Sequence, residues 1–233
     1  MNDAEPVVSV IIPLHNHADT IVATVASVLG QRNVPDDVHI EIVVVDDAST
    51  DGGADLLDHD IVTIIHQPAR RGAAAARNLG VAHSKGEFLV FLDSDDLLPP
   101  HRIAHQLAAF EQHHGIDVVG GRAEEFADDS YVPTRALRPT MLTAMVGALM
   151  IRRSAFERVG PFDEQITQRE VVDWGARLRR SGITVAPIDE VVLQRRLHPN
   201  NHGLDGAHAE AILRAVRQHI TARRHSDGAA EPG

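Results

Sequence analysis

The sequence contains no cysteine, which excludes disulfide bonds, cysteine-based zinc sites and any thiol nucleophile. This absence fits a reducing compartment, so we expect a cytoplasmic protein. Long hydrophobic runs are also missing, because the longest mostly apolar run, residues 141–151, is well short of the roughly 20 residues that span a bilayer. Residues 1–6 are polar and acidic and do not resemble a signal peptide. We therefore expect a soluble chain without a transmembrane segment.

Basic residues are scarce: 22 lysines and arginines stand against 33 acidic residues, and the formal net charge is −11. Binding to nucleic acid or to an anionic membrane depends on clustered Lys and Arg, so neither is an expected partner. The hydrophobic fraction of 43% is sufficient for a buried core, and a length of 233 residues favours one domain, or at most two small ones.

The first half of the sequence alternates short apolar runs with helical patterns. The runs that predict strands cover residues 7–12, 39–45, 61–66 and 87–92. Helical patterns cover residues 19–31, 49–58 and 72–83, and a further helix is opened by Pro99 and Pro100. This alternation predicts an α/β fold in which helices flank a mostly parallel sheet.

Three of these strands end in polar or acidic residues: Pro13 to Asn16, Asp46 with Asp47, and Asp93 to Asp96. Ligands of such sheets bind outside the carboxyl ends of the strands, so the functional site is predicted at this edge. Asp93 and Asp95 offer oxygen ligands that suit Mg²⁺ or Mn²⁺, although Asp and Ser here could equally cap the next helix. Asp46 and Asp47 could bind a base imide or ribose hydroxyls, or could simply form a turn.

The second half is less regular. Residues 123–139 are polar and predict a loop over the site, and residues 141–151 predict an apolar strand or buried segment. A helix is predicted over residues 170–180 and two strands over 183–186 and 191–193. A terminal helix at 206–223 precedes a tail that we expect to be disordered.

Several short motifs follow one another in a specific order. They are Pro13-Leu14-His15-Asn16, Asp46-Asp47-Ala48-Ser49-Thr50-Asp51-Gly52, Arg71-Gly72, Ala76-Arg77-Asn78-Leu79-Gly80, Gly86-Glu87-Phe88 and Phe91-Leu92-Asp93-Ser94-Asp95-Asp96. In this order and spacing the sequence resembles the family 2 glycosyltransferases, which have the GT-A fold. The resemblance is dense over residues 7–115 and thinner through segments 160–164, 173–178 and 196–198.

The resemblance implies a nucleoside-diphosphate sugar donor of the UDP type, a divalent metal ion (Mn²⁺ or Mg²⁺) and inverting attack by an acceptor hydroxyl. It implies a nucleotide-sugar-binding half at 7–115 and an acceptor-binding half at 116–223 of the same domain, between tails at 1–6 and 224–233. Asp95 is the expected metal ligand, and Asp93 holds the ribose or a metal-bound water. The residues that the resemblance assigns to the nucleotide are Pro13, His15, Asn16, Asp46, Asp47, Arg71, Asp93 and Ser94.

The catalytic base of the family is a carboxylate, usually in a Glu-Asp pair at the start of a helix. In this sequence the pair falls at Val172 and Asp173, so the Glu is missing. The resemblance implies Asp173 as the base, because it precedes Trp174. Glu170 lies one helical turn earlier on roughly the same face and is the substitute candidate.

The resemblance also bears on two histidines and on a pair of arginines. His15 stands where relatives often have a tyrosine that stacks on uracil, which leaves the identity of the base open. His198 could complete the metal shell or contact a phosphate. Arg196, or its neighbour Arg195, could clamp the diphosphate, since guanidinium geometry matches phosphate well.

Other functions and partners stay open at this point. The missing Glu motivates the alternative of a non-catalytic nucleotide-sugar-binding module. A nucleotidyltransferase is disfavoured because no glycine-rich basic loop occurs near residues 13–20. Aromatic residues make up only 3% of the chain, which argues against a long polysaccharide groove. The acceptor could be a small molecule, a lipid-linked sugar or a peptide side chain, and a homodimer is left open.

Overall fold

The computed structural model describes residues 5–128, 131, 133, 136–138, 140–142, 145–166 and 169–198. The helix predicted at 206–223 and the tail predicted at 224–233 lie outside the described residues. Within the described part of the chain, no helix combines the length and the apolar character needed to cross a bilayer.

The described residues form one eight-stranded sheet with helices packed against it. The strands are β1 (Val7–Leu14), β2 (His39–Asp46), β3 (Thr63–His66), β4 (Phe88–Phe91), β5 (Val118–Phe126), β6 (Met141–Leu142), β7 (Leu149–Arg152) and β8 (Val185–Arg196). The α-helices are α1 (Ile21–Leu29), α2 (Ala73–His83), α3 (Arg102–Gln112), α4 (Arg153–Val159) and α5 (Glu170–Arg180). The strand order is β3-β2-β1-β4-β7-β5-β6, and β8 also pairs with β5.

The sheet has a parallel half and a mixed half. Strands β3, β2, β1 and β4 run parallel, so their carboxyl ends lie along one edge, here called the carboxyl edge. β7 runs antiparallel between β4 and β5, whereas β8 pairs parallel with β5. Four of the seven strand pairings are therefore parallel, which confirms the predicted α/β fold with a mostly parallel sheet.

Helices bury both faces of the central strands, which is why these strands are apolar throughout. All four residues of β4 are buried, and successive residues of β1 point to opposite faces. Val10 and Ile12 pack with residues of α1 and α3, while Ile11 packs on the other face with residues of α4 and α5.

The chain concentrates its few aromatic residues between the sheet and α4 and α5. The rings of Phe91, Phe156, Phe162 and Trp174 contact one another with centroid separations of 5.2–5.8 Å. The indole Nε1 of Trp174 also donates to the carbonyl of Gly160 at 2.9 Å. This cluster fixes the start of α5, and hence Asp173, relative to the sheet.

The predicted helix at residues 49–58 is wrong, because only the 3-10 turn Ala54–Leu56 forms there. The carboxylate of Asp51 accepts hydrogen bonds from the backbone N–H groups of Gly53 (3.0 Å) and Ala18 (2.8 Å). Gly52 adopts a φ of 75°, a left-handed conformation that does not continue a right-handed helix. The side chain of Asp51 thus organises a turn that competes with helix formation.

The second half contains more strand than the sequence predicts. Residues 123–126 belong to β5 rather than to the predicted loop, and the two strands predicted at 183–186 and 191–193 are parts of the single strand β8. Gly121 allows β8 to approach closely, since a Cβ there would lie 2.6 Å from the Val192 side chain. The predicted apolar segment at 141–151 is divided into β6, a 3-10 turn (Val146–Ala148) and β7.

Substitution of Gly80 tests the close packing of α2 on β1. A Cβ at Gly80 would lie 2.4 Å from the side chain of the fully buried Ile11. We expect Gly80→Ala to lower the free energy of unfolding by about 1–3 kcal/mol through overpacking, although alanine is the better helix former. Urea denaturation measures the effect. Ala82→Ser, at an exposed position of α2, should change stability by less than about 0.5 kcal/mol, and a stabilised Gly80→Ala variant would contradict this packing.

Candidate functional site

A pocket of about 340 Å³ opens at the carboxyl edge, where β1, β2 and β4 end. The residues predicted for the site that line this pocket are Pro13, His15, Asp47, Asp93, Ser94, Asp95 and His198. Arg195, the alternative to Arg196 for the diphosphate, lines it as well. Seven further residues line it without having been predicted: Leu14, His17, Arg70, Gly72, Ala73, Arg77 and Asp96. The remaining predicted residues, Asn16, Asp46, Arg71, Glu170, Asp173 and Arg196, lie behind or beside this lining.

The end of β1 is fastened to the end of β2. The Nδ1 atom of His15 lies 2.8 Å from the backbone carbonyl of Asp47. Asn16 adopts a φ of 54°, and its side-chain oxygen accepts a hydrogen bond from the backbone N–H of Thr50 at 2.8 Å. Asn16 therefore joins two loops, and His15 is the member of this pair that faces the pocket.

Asp46 lies at the end of β2 and faces away from the pocket lining. Its carboxylate accepts from the backbone N–H of Ser49 at 2.9 Å and lies 2.9 Å from Nδ1 of His66. Burial raises the pKa of Asp46, but the hydrogen bonds from Ser49 and the proximity of His66 outweigh burial and lower the pKa below its ordinary value. Asp46 thus stabilises the turn that follows β2.

Both carboxylate oxygens of Asp47 are bonded to the segment that leads into α2. Oδ1 accepts from Nε2 of Gln67 (2.9 Å) and from the backbone N–H of Arg71 (2.6 Å), and Oδ2 accepts from the backbone N–H of Gly72 (2.7 Å). The side chain of Arg71 turns away and forms an ion pair with Glu164 at 2.6 Å. Asp47 therefore fixes this wall of the pocket, while Arg71 contributes through its backbone.

A buried guanidinium links the end of β4 to the start of α5. Arg77, 4% exposed, donates to Asp93 at 2.7 Å and to Glu170 at 3.0 Å. Burial alone lowers the pKa of Arg77, but the charges and hydrogen bonds of the two carboxylates outweigh burial and raise it. Its Nε–H is buried and has no partner among the described residues. Arg77 thus orients Asp93 at the pocket wall.

Ser94 is held in place through both its backbone carbonyl and its side-chain hydroxyl. The hydroxyls of Thr20 and Thr24 donate to its carbonyl at 2.8 and 2.9 Å, and its own hydroxyl lies 2.7 Å from Nδ1 of His17. Thr20 directly precedes α1 and Thr24 lies on it, and both are buried, so they fix the acidic segment at residues 93–96 against this helix.

The last turn of the acidic segment is bound by the end of β8. Nε2 of His198 lies 2.7 Å from Oδ2 of Asp95. Arg196 donates from its backbone N–H to Asp96 (2.9 Å), from Nε to the carbonyl of Asp95 (2.8 Å), and from its guanidinium to Asp128. Burial, followed by repulsion from Asp95 and Asp93, raises the pKa of Asp96 well above its ordinary range. Arg196 is therefore packed beneath the pocket, and its neighbour Arg195 lines it.

Asp173 lies on α5, outside the pocket lining. Its carboxylate pairs with Nε of Arg177 at 2.9 Å, and that guanidinium also donates to the carbonyls of Val159 and Pro161. The Asp173 side chain is 32% exposed, compared with 12% for Glu170. Of the two predicted base candidates, Asp173 is the more accessible and Glu170 is the one connected to the pocket through Arg77.

The model of glycosyl transferase family 2 matches residues 9–160, well over half of the chain. The chain belongs to glycosyl transferase family 2. It is therefore an enzyme that transfers a sugar from a nucleotide sugar, as the sequence resemblance predicted.

Glycosyltransferases of several bacteria are among the relatives of this chain. TuaG of Bacillus subtilis (strain 168), provisionally named for teichuronic acid biosynthesis, is 29% identical over 217 residues, which cover 86% of this chain and 83% of TuaG. The Escherichia coli UDP-Glc:alpha-D-GlcNAc-diphosphoundecaprenol beta-1,3-glucosyltransferase WfaP is 40% identical over 108 residues, covering 45% of this chain and 41% of WfaP. This chain thus spans less than half of WfaP.

A solved structure gives the same fold. S. aureus TarS (residues 1–349), crystallised in complex with UDP-GlcNAc, superimposes with a TM-score of 0.69 at 19% identity over 90% of this chain and 65% of that chain. The crystal structure of the same TarS segment with UDP gives a TM-score of 0.68 at 20% identity, covering 90% of this chain and 70% of that chain. The likeness confirms the GT-A fold of the glycosyltransferase.

The glycosyltransferase offers a donor set that fits a divalent metal ion. Mg²⁺ and Mn²⁺ commonly take one or two protein ligands and complete their shell with water and substrate phosphates. Asp95 and His198 already lie in contact at the pocket, whereas Asp93 is engaged by Arg77. In the part of the chain that the structure describes, no group of three acidic or histidine side chains is placed to hold a metal ion. Two protein ligands plus the donor diphosphate would suffice.

Four polar residues that line the pocket were not predicted from the sequence: His17, Arg70, Arg77 and Asp96. Arg77 and Asp96 fall inside motifs that carried the family resemblance, so position in a motif was the available signal. A buried arginine in an alanine-rich helix cannot be told from a surface arginine until its partners are known. For His17, no local pattern distinguishes it from the other 14 of the 15 histidines.

Asp47→Asn tests the role of the Asp47 carboxylate in fixing the pocket wall. An amide offers one acceptor oxygen and places N–H groups against the remaining donors, so we expect the free energy of unfolding to fall by about 2–4 kcal/mol. Urea denaturation measures the loss. Asp37→Asn, at an exposed position between α1 and β2, serves as the matched control. Equal stability of Asp47→Asn and the wild type would show that other contacts hold this segment.

Proposed function

We propose that the chain transfers a hexosyl or N-acetylhexosaminyl group from a UDP-sugar to an acceptor hydroxyl with inversion, using Mn²⁺ or Mg²⁺. The observation that carries this proposal is the pocket at the carboxyl edge, which is lined by Asp93, Asp95 and His198 together with His15 and Asp47. The names of WfaP and of the TarS complexes, which include UDP-Glc, UDP and UDP-GlcNAc, support the uridine nucleotide.

The nucleotide would enter at the ends of β1 and β2. Pro13 and His15 offer an apolar and an imidazole surface to the base, and Asp93 and Ser94 offer oxygen atoms to the ribose. Asp47 contributes by keeping the segment before α2 in place, because both of its carboxylate oxygens are already occupied there.

The diphosphate would lie against the cationic side of the pocket. The sequence favoured Arg196 for this role, but its guanidinium bonds Asp128 and the Asp95 carbonyl and lies 4.7 Å from the Phe126 ring centre. Arg195 lines the pocket, and it forms an ion pair with Glu125 at 3.7 Å. We therefore propose Arg195 as the phosphate-binding arginine and Arg196 as its structural neighbour.

Asp95 and His198 would hold the metal ion, with Asp93 contributing through water or the ribose. A divalent ion there supplies positive charge that stabilises the leaving diphosphate. The chain's own contribution is to orient the ligands: Arg196 fixes the carbonyl of Asp95, and Arg77 fixes the carboxylate of Asp93.

Asp173 is our proposed general base. Its carboxylate is the more exposed of the two acidic side chains in the first turn of α5, and a base must reach the hydroxyl whose proton it accepts. To act as the base, Asp173 would release Arg177 and accept a hydrogen bond from the acceptor hydroxyl instead. Glu170 is held in the Arg77 bridge and is better suited to orienting Asp93 than to accepting a proton.

A second candidate function is donor binding without transfer. The observation that favours it is that Asp173 and Glu170 both lie outside the pocket lining and that each is bonded to an arginine. The acceptor is not assigned by either candidate. A small molecule, a lipid-linked sugar and a peptide all stay as proposals, as do the homodimer and the cytoplasmic location that the cysteine-free sequence favours.

Turnover of UDP-sugars by Asp173→Asn tests the base and separates the two functions. We expect UDP affinity to be unchanged and donor hydrolysis or transfer to fall by about 10²–10⁴-fold, because general-base catalysis is lost. Asp189→Asn, whose side chain is 91% exposed on β8, is the matched control.

Three results would change the proposal. Wild-type turnover in Asp173→Asn would remove Asp173 as the base. Loss of turnover in Glu170→Gln alone, with UDP affinity intact, would transfer the role to Glu170. A wild-type chain that binds a UDP-sugar and never turns it over with any acceptor class would favour the binding module.

A further inference from the structure

The exposed face of α5 carries positive charge that the fold itself does not use. Residues 169–180, which are α5 and the residue before it, contain four arginines and two acids, although the chain has a formal net charge of −11. Glu170 is bonded to the buried Arg77, and Asp173 is bonded to Arg177. The other arginines of the segment are exposed and form no hydrogen bond or ion pair with any described residue: Arg169, Arg179 and Arg180.

Two of these arginines share one side of the helix with the proposed base. Arg169, Asp173, Ala176 and Arg180 follow one another at intervals of four, three and four residues, which places them along a single stripe of α5. The buried Trp174 packs toward the sheet instead. With a rise of 1.5 Å per residue, the stripe is about 16 Å long. A ligand that lies along this stripe therefore passes over the carboxylate of Asp173.

Stability of the helix does not explain the charge of Arg169. This residue directly precedes α5, and its carbonyl accepts from the N–H groups of Val172 and Asp173, both at 3.0 Å. The N-terminus of a helix carries partial positive charge, so a cation there is disfavoured. Arg180, by contrast, lies in the last turn, where a cation stabilises the helix. Arg169 is therefore the member of the stripe whose charge points to a ligand.

The N-terminal end of α5 is also the end connected to the pocket. Glu170, the residue after Arg169, accepts from Arg77 at 3.0 Å, and Arg77 donates to Asp93 in the pocket wall at 2.7 Å. An anion bound at Arg169 would thus lie on the same side of α5 as Asp173 and close to the donor site. Because the chain as a whole is acidic, local cations are needed to hold an anionic ligand there.

We propose that the acceptor of this glycosyltransferase carries a phosphate group, which Arg169 binds while the acceptor hydroxyl lies at Asp173. This inference rests on the proposed function, since it takes Asp173 as the base. Its basis is charge complementarity, because a guanidinium with unused donors matches the oxygen atoms of phosphate in geometry and charge. The higher charge of phosphate, compared with that of a carboxylate, favours phosphate at an exposed site that solvent and salt screen.

Amide NMR of the chain saturated with UDP and Mg²⁺ tests this surface, with glucose 6-phosphate, glucuronic acid and glucose as probes. UDP fills the donor pocket, so a phosphate group cannot bind there. We expect glucose 6-phosphate to shift the amide signals of residues 169–180 and to bind at least about tenfold more tightly than glucose. In Arg169→Gln, the affinity for glucose 6-phosphate should fall by about five- to tenfold, because a charge-assisted hydrogen bond is lost.

Two further variants make the result specific. Arg32→Gln removes an exposed arginine from the loop between α1 and β2 and should bind all three probes as wild type does. Arg169→Lys keeps the charge but loses the paired donors of the guanidinium, so glucose 6-phosphate should bind with intermediate affinity. Comparable thermal unfolding of all variants shows that any loss of affinity arises at the surface of α5.

Three results would overturn the assignment of a phosphate-bearing acceptor. These are a wild-type chain that binds glucose 6-phosphate no more tightly than glucose, an unchanged affinity in Arg169→Gln, and tighter binding of glucuronic acid than of glucose 6-phosphate. The proposed function is tested separately in the same samples. A wild-type chain that does not bind UDP would contradict the donor site itself, whereas UDP binding without a preference for phosphate would contradict the acceptor class alone.

Discussion

The carboxylate of Asp47 makes the contact on which the rest of the pocket depends. It receives the backbone N–H groups of Arg71 and Gly72, and α2 begins at the next residue, Ala73. One turn into that helix, Arg77 reaches Asp93 at the end of the central strand and Glu170 at the start of α5. The single buried carboxylate of Asp47 thus determines where the guanidinium of Arg77 lies in the pocket wall.

The arrangement also explains how three carboxylates can follow one strand. Burial raises the pKa of Asp96, and repulsion from Asp95 and Asp93 raises it further. The fold offsets the repulsion with Arg77 at Asp93, His198 at Asp95 and the backbone N–H of Arg196 at Asp96. A site that concentrates negative charge in this way is stabilised further by a bound cation, which supports the proposed metal dependence.

The sequence alone was sufficient to predict the site residues that lie at the ends of strands. Polar motifs that follow three parallel strands lie at the same edge of the sheet. The alternation of predicted strands and helices was therefore enough to group Pro13, Asp47 and Asp93. The bounds of α5 followed from its helical pattern. The helix predicted at 49–58 failed because the competing bonds of Asp51 are made partly to Ala18, in another loop.

Side-chain direction was the information that the sequence did not contain. Arg195 and Arg196 are adjacent on a strand and point to opposite sides. An error of one residue in the predicted strand register therefore assigns the buried Arg196 to the pocket in place of Arg195. β5 was missed because its glycines weaken the strand pattern, yet Gly121 is needed for the close approach of Val192. The partners of Arg77 are 16 and 93 residues away in sequence and required the fold to be known.

The most direct test of the account is thermal unfolding with a panel of nucleoside diphosphates and nucleotide sugars, each with and without Mn²⁺. Ligands that bind the folded state raise the unfolding temperature by mass action, and saturating ligand should add several degrees for a chain of this size. We expect UDP and UDP-sugars to raise the unfolding temperature only when the metal ion is present. An unchanged unfolding temperature with every nucleotide, or a rise that is independent of the metal ion, would contradict a metal-dependent donor site at the carboxyl edge.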